Sequence, residues 1–292
     1  MANLKEIRIR IASVQSTQKI TSAMKMVSAA KLRRAQNAIL TLRPYSNKLT
    51  EILGNIASSD TQDNPLAEIR PVNNVLVVLI ASNKGLCGGF NSNIIKHTEH
   101  LLSHDLAQQH QNNNVQFLCI GKRVSDYVRN KQYPCIGCYD HLLDNPSFED
   151  IANMANGFMD DYTTKKYDKI IIVYNEFKNA ATQVLTDSQY LPIPTTMGKT
   201  QSQTSKTDYI FEPDKDTLYQ SLIPKIMKVR LYKCVLDSIA SEHGARMTAM
   251  HKATENANEL IKSLNLTYNK LRQSSITNEI IEIVSGANAL NA

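Results

Sequence analysis

The sequence runs to 292 residues, of which 42% are hydrophobic, enough to bury a core and to exclude a globally disordered chain. No window approaches the ~18 apolar residues of a membrane-spanning helix, and five scattered cysteines argue for reduced thiols rather than a disulfide framework. The formal charge of +6 sits in one place: residues 1–34 carry Lys5, Arg8, Arg10, Lys19, Lys25, Lys31, Arg33 and Arg34 against Glu6 alone, net +7, which leaves −1 for the rest of the chain.

Such a basic segment is expected to face something acidic: nucleic acid, a lipid surface or an acidic protein. Its first residues lack the apolar core of a signal peptide, and Glu6 comes early for an acid-poor transit peptide, so a protein made and used in a bacterial cytoplasm is expected. Residues 4–57 have no glycine before Gly54, and Leu4, Ile7, Ile11 and Val14 step by three and four. That spacing predicts one long helix of ~80 Å, with Pro44 as a candidate kink. Residues 60–71, rich in Ser, Asp, Asn and Pro, read as a linker.

The period then changes. Residues 75–81 (VLVVLIA) form a continuous apolar run, the mark of a strand covered on both faces. Helix is predicted over 93–102, 122–130 and 147–165, and strand over 115–120 (VQFLCI) and 170–174 (IIIVY). Residues 182–185 and 190–193 are weaker, edge-like strand candidates, and 195–207 (TTMGKTQSQTSKT) reads as a polar loop. Alternating strands and helices predict a mostly parallel sheet with helices on its faces, a Rossmann-like α/β domain.

Residues 214–290 return to helical spacing, with a start at Glu212, Pro213 and Asp214. Ala257, Ile261, Leu264, Tyr268 and Leu271 step by four and three. The stripe then slips by one residue before Ile276, Ile280, Ile283, Ala287 and Leu290 repeat the pattern. A slip of this kind changes the supercoil or hands the seam to a new partner. Two helices this long need each other. The predicted fold is therefore an antiparallel coiled coil of N- and C-terminal helices carrying the α/β domain at one end, with boundaries at 1–60, 70–208 and 212–292.

Both helices carry more apolar surface than one seam uses. Met26 lies about 200° round the helix from Met24, and Ile276, Ile280, Ile281, Ile283, Val284 and Leu290 cover an arc of roughly 180° with only Glu279 and Glu282 charged. Surface of that kind implies further partners.

Three motifs are set aside. Gly85-x-x-Gly88-Gly89 follows a strand and precedes a helix but matches no phosphate-binding signature, so a structural turn is expected. His97, His100 and His104 share a helix without any metal-binding pattern and read as a polar face. Cys135-x-x-Cys138 has Tyr133-Pro134 before it and Tyr139, Asp140 and His141 after it. A loop or short strand, dispensable to function, is expected there rather than a redox helix start.

Residues 7–36 (IRIRIASVQSTQKITSAMKMVSAAKLRRAQ), 242–257 (EHGARMTAMHKATENA) and 276–290 (ITNEIIEIVSGANAL) resemble the terminal helices of ATP synthase gamma subunits, and 82–91 (SNKGLCGGFN) resembles that family's SDRGLCG-type loop with Asn83 and Lys84 in place of Asp and Arg. The resemblance spans nearly the whole chain in order. It implies a rotary central stalk with no catalytic, cofactor or metal site of its own. Its partners would be the alpha and beta subunits of the catalytic head, the epsilon subunit and the c-subunit ring, at the cytoplasmic face of a bacterial membrane. By motif position it implies contacts to the head from Gln273, Thr277, Glu279 and Arg246, and a c-ring side at Phe211 and Glu212; the extra apolar surface adds Met24 and Ile280, and the basic segment adds Arg33 and Arg34, as expected contacts to the head. The competing readings are an enzyme using a nucleotide at the Gly-rich turn and a basic nucleic-acid binder. The first lacks a phosphate-binding signature, and the second lacks aromatics among the cations of residues 1–34.

Overall fold

Helix α1, Leu4–Ala57, follows from the uninterrupted three–four spacing of its shielded side chains. Between residues 4 and 20 only Leu4, Ile7, Ile11, Val14 and Gln18 escape full exposure. The last long helix, Lys215–Leu290, behaves alike: from 255 to 288 only Ala257, Ile261, Leu264, Tyr268, Leu271 and Ser275 are shielded. Two contacts set the direction of the pair. The Thr21 and Thr254 hydroxyls hydrogen-bond at 2.8 Å, and further along α1 the Lys25 ammonium donates to His251 Nδ1, further back on its partner, at 3.3 Å. The helices are therefore antiparallel. The same register carries Gln18, Val14, Ile11, Ile7 and Leu4 past Ala257, Ile261, Leu264, Tyr268 and Leu271.

The computed structural model describes residues 4–57, 65–180, 182–193 and 215–290, which fall into two compact units. One is the antiparallel pair, Met1–Ser28 with Met247–Ala292; the other is Ala29–Arg246. The first part of the predicted linker, the polar loop at 195–207 and the helix start at 212–214 lie outside the described residues.

The second unit holds a five-stranded sheet. Its elements are β1 (Val75–Ile80), α2 (Phe90–Ser103), α3 (Ala107–Gln111), β2 (Val115–Ile120), α4 (Lys122–Asn130) and β3 (Cys135–Cys138). A 3₁₀ turn (Asp140–Leu143), α5 (Phe148–Thr163), β4 (Lys169–Phe177) and β5 (Gln183–Leu191) follow, and the Lys215–Leu290 helix is α6. The strand order is β3-β2-β1-β4-β5, parallel except for the antiparallel edge strand β5, with Val75 in register with both Val115 and Lys169.

All six residues of β1 are buried because both faces of the sheet are covered. Side chains alternate across a strand, so Val75, Val77, Leu79, Phe117 and Cys119 share one face and pack with Ile94, Leu101, Val124 and Val128 of α2 and α4. The other face meets α5 and part of α6: Phe158 packs edge-on to Tyr190, whose hydroxyl donates to Met227 O at 2.8 Å, and Ser238 Oγ donates to Ile80 O. Gly121 is required where β2 turns into α4, since its φ is +113° and a Cβ there would stand 2.2 Å from Ala81 O.

One sequence-based expectation changes, and two short elements are added. The two short edge candidates at 182–185 and 190–193 are one strand, β5, whose polar centre (Thr186, Asp187, Ser188) hides its continuity. Pro44 and Pro224 lie inside α1 and α6 without ending them, and Gly244 allows close approach: a Cβ there would lie 3.2 Å from Ala180 O. Helix α3 and the 3₁₀ turn are too short to show a period and were not predicted.

Candidate functional site

The register of the antiparallel pair locates a surface that the described residues leave open. Leu4, at the start of α1, is carried past Leu271, and Ser275 is the last shielded position on α6. The helix runs on to Leu290, and every residue from 276 to 288 is exposed. The one-residue slip in the stripe falls past the position opposite Leu4, the first described residue of α1. Beyond it Ile276, Ile280, Ile281, Ile283 and Val284 are 48–71% exposed. Five β-branched residues within nine positions are far more apolar surface than a solvated helix end carries.

The site residues expected from sequence occupy different settings. Gln273, Thr277, Glu279 and Ile280 all stand exposed on the free end of α6 or just before it. Among the described residues the hydrogen bonds here stay within the helix: Thr277 Oγ1 donates to Gln273 O at 2.9 Å, and Ser275 Oγ donates to Glu279 Oε1 at 3.3 Å. Met24 is half-buried on α1, while Met26 and Val27 beside it are exposed. In the second unit Arg33 and Arg34 are exposed between buried Leu32 and Ala35, so helix geometry turns both guanidinium groups outward. Phe211 and Glu212 lie outside the described residues.

Arg246 occupies a different setting from the other expected contacts. It is 7% exposed, and its guanidinium is held inside the chain. Nη1 pairs with Glu242 one helical turn earlier, Nη2 donates to Lys84 O at 2.8 Å, and Nε donates to Gly85 O at 3.4 Å. Burial pushes the Glu242 carboxyl up and Arg246 pulls it back; burial, Arg246 and Lys31 together push His243 down to about 4. Arg246 thus clamps the 82–91 loop to α6. The spacing of Glu242 and Arg246 was visible in the sequence, but a partner 161 residues away was not.

The loop itself explains the Asn83 departure. Asn83 Oδ1 accepts from the Lys122 backbone N–H at 3.1 Å, capping α4, whose own N-cap Gly121 has no side chain for the purpose. Its Nδ2 donates to Asp140 O at 2.9 Å and to Asp144 at 3.3 Å. An amide does both jobs, donor and acceptor, which a carboxylate could not. The turn at Gly85 to Gly88 spends the carbonyls of Lys84 and Gly85 on Arg246. His97 and His100 on α2 and His104 just past its end form a stacked row, with centroids 6.5 and 4.2 Å apart, and His97 Nε2 lies 3.4 Å from Asp187.

Known proteins match the chain along its full length. The family model described as "ATP synthase" matches residues 3–290. The ATP synthase gamma chain of Cytophaga hutchinsonii is 49% identical over 294 residues, covering 100% of both chains, and that of Christiangramia forsetii is 50% identical over 293 residues with the same coverage. Among solved structures, a chain of the Euglena gracilis mitochondrial ATP synthase (OSCP/F1/c-ring) has a TM-score of 0.69 at 22% identity, covering 98% of this chain and 94% of that one. A chain of the Tetrahymena thermophila central stalk/c-ring assembly has a TM-score of 0.57 at 24% identity, covering 80% and 99%. These two establish likeness of fold.

Proposed function

The chain belongs to the ATP synthase gamma chain family, and from that premise we propose that it is the rotating central stalk of the complex, coupling ion flow through a membrane ring to ATP chemistry on other subunits while carrying no catalytic group itself. The observation that carries the proposal is the free end of α6. A helix that runs past its partner among the described residues and keeps an apolar arc for a further four turns is built to be covered by other chains. Covering half of one Ile side chain contributes about 1 kcal/mol, so five of them make a hold of several kcal/mol without a single directional bond. A contact without directional bonds resists turning little, as a bearing requires.

The coupling mechanism follows from symmetry. One chain surrounded by three identical beta subunits presents a different face to each. Arg33 and Arg34 point one way from α1, so one beta subunit at a time meets that positive charge. Differential contact of 1–3 kcal/mol shifts a two-state equilibrium by roughly 5- to 150-fold, enough to favour a different beta conformation at each angle. The converse holds too: a beta subunit that changes conformation on hydrolysis pushes the stalk onward.

Within this reading Met24, Gln273, Thr277, Glu279 and Ile280 meet the head, Arg33 and Arg34 meet acidic loops of beta, and the epsilon subunit and the c ring bind elsewhere on the chain, with Phe211 and Glu212 toward the ring. Arg246 acts indirectly, by holding the 82–91 loop. No described helix is long and apolar enough to cross a membrane, and attachment to the cytoplasmic face of a bacterial membrane is through partners. The test is reconstitution. The isolated chain should bind and hydrolyse no ATP, and should copurify with tagged alpha and beta subunits as one copy per three of each. Micromolar one-site ATP binding by the chain alone would overturn the non-catalytic reading.

A further inference from the structure

Beyond its place in the motor, the chain carries a thiol pair whose geometry the sequence does not disclose. Two residues three apart on a regular strand point to opposite faces, but β3 is not regular. Phe117 pairs with Cys135, Leu118 with Gly137 and Cys119 with Cys138, so Ile136 is an extra residue bulged out of the ladder. The bulge puts Cys135 and Cys138 two ladder positions apart, on the same face as Phe117 and Cys119. Their sulfur atoms lie 3.7 Å apart, against about 2.05 Å in a disulfide bond. Both cysteines are exposed on the parallel edge of the sheet, whereas Cys119 beside them is buried, as are Cys87 and Cys234. Among the described residues no group of three or more His, Cys, Asp or Glu is arranged to hold a metal ion.

We propose that Cys135 and Cys138 form a reversible dithiol–disulfide site, oxidised by thiol exchange with a low-molecular-weight disulfide. One thiolate attacks the disulfide RSSR and displaces RS⁻, giving a mixed disulfide. The second thiolate then attacks the protein sulfur of that bond and displaces the other RS⁻. Two protein S–H bonds are lost and one S–S bond forms; RSSR takes up both electrons and both protons as two RSH. Burial raises the Cys135 thiol above its ordinary value, and the thiol donates to Gly137 O at 3.4 Å. Its thiolate is therefore scarce, and the site follows the standing redox balance rather than brief pulses of oxidant. Oxidation closes a ring across the bulge and fixes the edge strand.

The proposal does not rest on the rotary reading and is tested on the full-length chain alone. The reduced chain is equilibrated with mixtures of oxidised and reduced glutathione, and free thiols are then alkylated under denaturing conditions for mass spectrometry. The expected product has lost two hydrogens, joins Cys135 to Cys138, and leaves Cys87, Cys119 and Cys234 alkylated. Its midpoint should differ from that of the urea-unfolded chain by about tenfold in the glutathione ratio, roughly 30 mV for a two-electron couple, in favour of the bond. Cys135→Ser should give only the mixed disulfide at Cys138. Equal midpoints folded and unfolded, a stable glutathione adduct on the wild-type chain, or a bond to Cys119 would each overturn the assignment.

Discussion

Replacing Ile280 with Asp should leave the isolated chain as stable as before and loosen its hold on the catalytic head. Ile280 is 55% exposed in a stretch where every neighbour from 276 to 288 is exposed as well, so within the chain the change is a surface substitution worth no more than about 0.5 kcal/mol. Inside an apolar sleeve two losses add. The burial still available to the Ile side chain, about half of a full one, contributes roughly 1 kcal/mol, and enclosing an unpaired carboxylate costs several more. A total near 4 kcal/mol corresponds to about a thousandfold in affinity. Asn278→Asp adds the same charge on another side of the same turns and is the control. Ile7→Asp, in the buried seam, is the converse control and should lower the melting temperature of the chain itself. The assays are thermal melts of each isolated variant and dissociation rates of the chain from the alpha and beta complex. Equal dissociation for Ile280→Asp and Asn278→Asp would mean that nothing apolar covers this end. A large loss of stability in isolated Ile280→Asp would mean that the chain covers it itself.

Reversing Arg33 and Arg34 together to Glu should lower the ratio of ATP-driven proton pumping to ATP hydrolysis in inverted vesicles while the complex still assembles, because exposed charges contribute only ~0–1 kcal/mol each. The defect should fade at high salt, and an unchanged ratio at low salt would mark this face as merely solvated. Arg246→Met strands the buried Glu242 and frees the 82–91 loop, costing about 3–5 kcal/mol in urea denaturation. Adding Glu242→Gln should recover part of that loss, and full stability with impaired coupling would restore Arg246 to the partner surface. Stability against pH offers a third check. His243, pushed by burial from 6.5 to about 4, makes the fold lose stability as pH falls through that window; Asp237, pushed by burial against the pull of Lys233 from 3.8 to about 6, makes it gain stability as pH falls from 6. The two, each on the order of 3 kcal/mol, nearly cancel in the wild-type chain. Asp237→Asn should unmask the histidine and lose about 2 kcal/mol between pH 6 and 4.5, whereas a flat profile for that variant would contradict the assignment.

The parts of the fold legible in the sequence are those whose burial is one-dimensional. VLVVLI needed both faces covered and found α2 and α4 on one and α5 and α6 on the other. The heptad steps of Leu4 to Val14 and of Ala257 to Leu271 found each other in one register, and the slip after Leu271 falls past the last described partner on α1. What stayed hidden depends on partners distant in sequence or on local irregularity. The internal role of Arg246 needed Lys84 and Gly85, and the capping by Asn83 needed Lys122. The bulge at Ile136, which alone turns Cys135 and Cys138 to one face, leaves no mark on composition or period. β5 was split because Asp187 and Ser188 look like a turn, although an edge strand carries polar residues without penalty.

The central claim is that this chain turns relative to the head while other chains do the chemistry. The direct measurement fixes the alpha and beta complex to a surface and attaches a reporter to the exposed turn after β4 through Lys178→Cys, in a chain with Cys135→Ser and Cys138→Ser. On adding ATP the account predicts stepwise rotation in one direction, three steps to a turn, at a rate set by hydrolysis. Sustained hydrolysis with a stationary reporter would contradict it.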